Sequence, residues 1–188
     1  QIEVSTGVCR TLAELREQMV TQRRAALTAA ADSDLVVVAA GSVPVALDLG
    51  GQPYPRRRYE RMIAEYAEVG RQQLVCAMQT QVGVDDRELA VAALPLVGAW
   101  LPVLLALSAS SPYFDGADTG YASYRSVLWS RWPTAGPPLP FGSAAEYDAT
   151  VDGLVASRTV SDPGMIYFDV RPSARYPTLE VRVCDAVP

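Results

Sequence analysis

The chain has 188 residues, about one domain's worth, with 16 basic against 21 acidic side chains and a net charge of −5. Every basic residue is arginine; lysine, histidine and asparagine are absent. That excludes a Schiff-base or P-loop lysine, a Ser-His-Asp triad and a histidine metal site, and scattered arginines on an acidic chain argue against nucleic-acid binding.

Gln1-Ile-Glu-Val-Ser5 alternates apolar and polar residues and reads as a strand already under way, so no signal peptide is expected. The missing initiator methionine predicts that Gln1 is not the natural start. Thr11 and Glu14 have capping-box spacing and open a helix to about Ala31. Leu35–Ala40 is an apolar run of strand length. Beyond a loop rich in glycine and proline, Arg58–Gln73 reads as a helix with Tyr59, Met62, Ile63, Tyr66 and Val69 on one face. A strand is expected at Leu74–Val84.

Leu89–Ser108 carries no charge across twenty residues, the length of a membrane span. Its prolines and the acidic run before it fit a buried helix kinked at proline better, so no membrane is expected. Ser108–Gly120 reads as a loop, Tyr121–Trp132 as a short helix and the proline-rich Thr134–Gly142 as irregular. Ser143 and Glu146 open a helix that ends before Asp162. Strands are expected at Ile166–Arg171 and Thr178–Asp185. Cys9, Cys76 and Cys184 are odd in number and far apart, which fits buried thiols in a reducing cytoplasm.

Strand alternation supplies the chemical signal. Leu179, Val181 and Val183 share one face, leaving Glu180, Arg182 and Cys184 on the other. Ile166, Phe168 and Val170 oppose Tyr167, Asp169 and Arg171; Met78, Thr80 and Val82 oppose Gln79 and Gln81; Ile2 and Val4 oppose Glu3. Strands sharing one sheet would pack an apolar face on helices and gather carboxylates, guanidiniums and glutamines on the other. A solvated outer face is the plainer alternative. Carboxylates suit Mg²⁺ and arginines suit phosphates or carboxylates, so a covered face of this kind fits a metal-bound nucleotide.

Four blocks carry a resemblance over the whole chain: Gln1-Ile-Glu-Val-Ser-Thr-Gly-Val-Cys-Arg-Thr11, Asp118-Thr-Gly-Tyr-Ala-Ser-Tyr-Arg-Ser126, Tyr167-Phe-Asp-Val-Arg-Pro-Ser173 and Thr178-Leu-Glu-Val-Arg-Val-Cys-Asp185. They resemble the type-2 glutamate–cysteine ligases, also called carboxylate–amine ligases. The resemblance implies an α+β fold, the glutamine-synthetase-like catalytic core: a curved, mostly antiparallel sheet with helices on one face. Residues 1–188 would then be one catalytic domain, a core incomplete at both ends. It implies that ATP and Mg²⁺ activate a carboxylate as an acyl phosphate, which an amine attacks. Partners would be small-molecule amino-acid and amine substrates, with a homo-oligomer compatible.

By the same resemblance Glu3 and Glu180 would ligate Mg²⁺ and Arg182 would hold ATP phosphates. Arg125 would clamp the amino-acid carboxylate, with Tyr124 and Trp129 as pocket walls. Arg58-Tyr59 matches a family pair, and Gln79, Gln81 and Arg171 complete the substrate- and ATP-binding set. Family members commonly carry His-x-His-x-Gly where this chain has Gln79-Thr-Gln-Val-Gly83, and Gly-Thr-His-Pro where it has Gly41-Ser-Val-Pro44. Glutamine donates and accepts hydrogen bonds but shuttles no proton near neutral pH. The alternative is therefore an inactive member, acting as an amino-acid- or nucleotide-binding module or as a structural subunit.

Overall fold

The computed structural model describes residues 2–45 and 55–187. Gln1 of the expected first strand and the middle of the expected Gly/Pro loop lie outside the described residues. The chain forms two compact units that meet in sequence at Ala39 and Ala40, the larger being Ala40–Val187.

The smaller unit contains helix α1, Leu12–Ala31, whose N-cap is Thr11 as the spacing predicts. Thr11 Oγ1 accepts from the Glu14 amide at 3.2 Å, while the Glu14 carboxylate reaches the Arg10 amide at 2.7 Å, one residue before the usual partner. Two expected strands do not form. Residues 2–9 and 35–40 have no strand assignment, and Leu35, Val36 and Val38 are exposed. A strand needs a neighbouring ladder, and no described segment supplies one to either run.

In the larger unit α2 spans Arg57–Arg71, with a break in helical geometry at Ala67 (φ 46°, ψ −118°). The long apolar helix is two helices, α3 (Arg87–Gly98) and α4 (Leu101–Ser108), bent by 63°. Asp86 caps α3 by accepting from the Glu88 and Leu89 amides. The helix runs through Pro95; the break comes just before Pro102, which has no N–H to return to Gly98. Only one side is buried, through Ala90, Val91, Leu94 and Leu101, while Leu89, Leu96, Trp100 and Leu107 are exposed, so the expected burial holds for half the surface. No single described helix is long and apolar enough to cross a membrane, although the bent pair passes when joined.

The expected loop at 108–120 holds a small hairpin, β2 (Tyr113–Phe114) and β3 (Ala117–Asp118). Asp115 and Gly116 make its turn with positive φ of 51° and 79°, the pairing that two-residue hairpins favour. Helix α5 is Tyr124–Trp129, and α6 is Ala144–Ala156, capped by Ser143.

The main sheet is antiparallel, in the order β1 (Thr80–Gly83), β5 (Thr178–Val181), β4 (Val170–Pro172). These are three of the four strands expected to share a sheet, each shorter than expected. Helix α3 packs on β4, and α6 packs on α3. Val91 and Leu94 of α3, Tyr147 and Val151 of α6 and Val170, Leu179 and Val183 of the strand segments form one core. The fold is α+β.

Candidate functional site

Register decides which side chains meet. Gln81 faces Glu180 and Arg171 faces Glu180 across the two ladders, so all three stand abreast on one face. Tyr167, Asp169, Arg182 and Gln79 fall on that face by alternation. Val170, Leu179 and Val181 take the other, as expected.

Glu180 is the centre of this face and only 5% exposed. Arg171 Nε donates to Oε2 at 2.9 Å and Arg182 Nη1 to Oε1 at 2.5 Å. With its amide oriented to satisfy its neighbours, Gln79 donates to Glu180 Oε1 at 2.7 Å and accepts from Arg182 Nη2 at 3.2 Å. Arg171 is anchored in turn by donating to the carbonyls of Gly164 (3.1 Å) and Ile166. Gln81 lies at the exposed edge and accepts from the Thr178 hydroxyl at 2.9 Å.

Arg125, 2% exposed, enters from α5. Its two terminal nitrogens donate to the carbonyls of Val183 (3.1 Å) and Arg182 (3.0 Å), and Asp185 stands 3.9 Å away. The guanidinium carbons of Arg125 and Arg182 each lie 5.6 Å from the Trp129 ring centre, and Arg182 lies 5.7 Å from that of Tyr167. Such packing supports a cation away from water. Burial pulls both guanidiniums below the ordinary arginine value, and Arg171 adds like-charge repulsion at Arg182; Asp185 and Asp169 oppose the shift at Arg125, Glu180 and Tyr167 at Arg182. Burial also lifts the Asp169 carboxyl and the Tyr167 phenol, against the pull of neighbouring arginines.

Both Arg125 and Arg182 keep a buried Nε with no hydrogen-bond partner among the described residues. The Nε1 atoms of Trp129 and Trp132 are likewise buried and unpaired. Buried donors are normally satisfied, and an acceptor oxygen would satisfy each of these.

Trp129, Arg171, Arg182, Glu180, Arg125 and Gln79 are thus drawn together, with Gln81 at the edge. Arg58 stands at the margin of this face, paired with Asp162 through Nη1–Oδ2 at 2.6 Å and near enough to Tyr167 to pull against the rise of its phenol. Tyr59 is exposed, and Tyr124 packs on Phe114 and Tyr121 near the hairpin. Glu3 lies in the smaller unit, exposed and outside any strand.

Sequence reasoning missed Asp185. It is fully buried and accepts from the Ser110 amide (3.0 Å) and the hydroxyls of Ser111 (2.7 Å) and Ser123 (2.9 Å). Alternation would put Asp185 with the apolar residues of the last strand segment. The serines that hold it come from distant positions and signal nothing by spacing.

The glutamate-cysteine ligase family 2 model matches residues 1–188. The chain belongs to this family. It is 53% identical over its full length to a Rhodococcus jostii protein and 47% identical to one from Mycolicibacterium smegmatis, covering 24% and 48% of their lengths. A Rhodopirellula baltica relative is 38% identical over 187 residues, half of its own length. These relatives are named "Putative glutamate--cysteine ligase" 2-3, 2-2 and 2. The chain therefore spans half or less of these relatives. The resemblance carried by the four sequence blocks is borne out.

Proposed function

We propose that the chain is the core of an ATP-dependent carboxylate–amine ligase that joins a carboxylate to an amine through an acyl phosphate. Family membership over all 188 residues supports the ligase class. The observation that carries the site is the buried Arg171–Glu180–Arg182 cluster beside Arg125, with two guanidinium Nε atoms left without acceptors. A phosphate or carboxylate oxygen is the acceptor such donors fit. On this reading the short antiparallel sheet is the centre of a curved, glutamine-synthetase-like one.

Chemically, Arg182 and Arg125 would stabilise charge on the transferring phosphoryl group from a dry, fixed environment. The carboxylate is already ionised and needs no base. Gln79 can orient Glu180 and Arg182 but cannot accept the amine's proton.

A resident magnesium site does not fit the described residues. None of their His, Cys, Asp and Glu side chains form a group of three able to hold a metal, and both Glu180 oxygens are taken by guanidiniums. These two facts favour a second reading, a family member that binds ligand without turnover. ATP with magnesium, L-glutamate and L-cysteine separates the two. Phosphate release that needs both amino acids supports the ligase. Nucleotide binding with no such release supports the second reading.

A further inference from the structure

Helices α3 and α4 have no polar side between Leu89 and Leu107: every exposed side chain there is apolar. Leu89, Leu96, Trp100, Val103 and Leu107 are between 47% and 80% exposed, while Val91, Leu94 and Leu101 on the other side belong to the core. A helix that is apolar all round is ordinarily buried all round. Leu89, Ala92, Leu96, Ala99, Val103 and Ala106 recur at spacings of three and four, large alternating with small. That stripe offers ridges and recesses to the side chains of another helix. It holds no polar group to pair with a charge, so the face that covers it must itself be apolar.

A bilayer fits this surface poorly. The two helices are about 18 and 12 Å long, against a hydrocarbon core of ~30 Å, and a 63° bend separates them. Asp85, Asp86 and Glu88 flank the start of α3, where anionic headgroups would repel them. Polypeptide of the chain's own family fits better. The Mycolicibacterium smegmatis and Rhodopirellula baltica relatives have about half of their length outside the matched stretch, since this chain covers 48% and 50% of them. Another surface also lacks cover: among the described residues β1 pairs only with β5, and Val82 on that edge strand is exposed. An open sheet edge and an uncovered apolar helix face are what remains when part of a core comes from another stretch of polypeptide.

We infer that the exposed side of α3 and α4 is a docking surface for an apolar helical face from the family polypeptide outside these 188 residues, whether joined to this chain or separate. The inference rests on family membership and not on the ligase reading.

A chimera tests it: the Mycolicibacterium smegmatis relative with its matched stretch replaced by this chain. The chimera and the chain alone both carry 5-fluorotryptophan, and the Trp100 signal is assigned by its loss in Trp100→Phe. A soluble nitroxide should broaden the Trp100 fluorine signal in the chain alone, and that broadening should be largely lost in the chimera. Leu96→Glu should lower the chimera's thermal midpoint by about 5 °C or more, because a charge is then buried unpaired, yet shift that of the chain alone by no more than about 1 °C. A chimera built in the Rhodopirellula baltica relative stands in if the first does not fold. The inference is overturned if Trp100 broadens equally in the folded chimera and the chain alone, or if Leu96→Glu leaves the chimera's midpoint unchanged. It is also overturned if Trp100 of the chain alone becomes protected as concentration rises, the mark of a second copy, or on adding phosphatidylcholine vesicles, the mark of a membrane. Absence of ATP-dependent phosphate release would count against the ligase reading alone, whatever Trp100 reports.

Discussion

Replacing Glu180 by leucine tests whether this carboxylate holds the polar face together. Leucine keeps the bulk and removes both oxygens, leaving Arg171 and Arg182 as neighbouring like charges, both buried and without their carboxylate. Removing one member of a buried ion pair costs about 3–5 kcal/mol, a large part of the ~5–15 kcal/mol that stabilises a domain. At a urea dependence near 2 kcal/mol per molar, the midpoint should fall by about 2 M. Tryptophan fluorescence suits the measurement, because Trp100, Trp129 and Trp132 all lie in the larger unit and Trp129 touches Arg182. Exchanging Arg171, Glu180 and Arg182 together for Met, Leu and Met should recover most of the loss, since no unpaired charge then remains. A loss below about 1 kcal/mol for Glu180→Leu would refute the reasoning.

Gly41→Ala would place a methyl 2.8 Å from the Asp185 carboxyl carbon and 3.0 Å from Ser111 Cβ, and thermal unfolding should report a loss of about 1–3 kcal/mol. Asp86→Ala removes the α3 cap and should cost about 1 kcal/mol by urea denaturation. Burial pushes the Tyr147 phenol up to about 12, above its ordinary 10. A raised folded-state value stabilises fully below pH 10 and is lost as pH climbs towards 12, so an alkaline loss of stability is expected there. Tyr147→Phe should remove that component of the pH–stability curve while leaving the curve near pH 7 largely unchanged.

Much of the site was legible because strand alternation is a strict geometric rule. It places Gln79, Gln81, Arg171, Glu180 and Arg182 on one face; the ladders bear this out for Gln81, Arg171 and Glu180, and hydrogen bonds bring Gln79 and Arg182 to Glu180. Two helix starts were equally readable, since Thr11 and Ser143 carry the capping hydrogen bonds their spacing predicts. Strands at 2–5 and 35–40 were not predictable in the same way. Their apolar pattern is real, but strand formation depends on a partner ladder that the pattern does not contain. The Asp115-Gly116 hairpin carries its own signal in the dipeptide, although the surrounding run of Ser, Pro, Asp and Gly reads as loop. Asp185 depends on residues brought together from distant parts of the chain, which no local periodicity reports.

Titration of the chain with ATP and magnesium in a calorimeter addresses the central claim most directly, with Arg182→Gln measured alongside. The proposed function predicts saturable heat in the parent that vanishes in the variant while its far-UV circular dichroism is retained. No saturable heat in the parent, or the same affinity in both proteins, would contradict it.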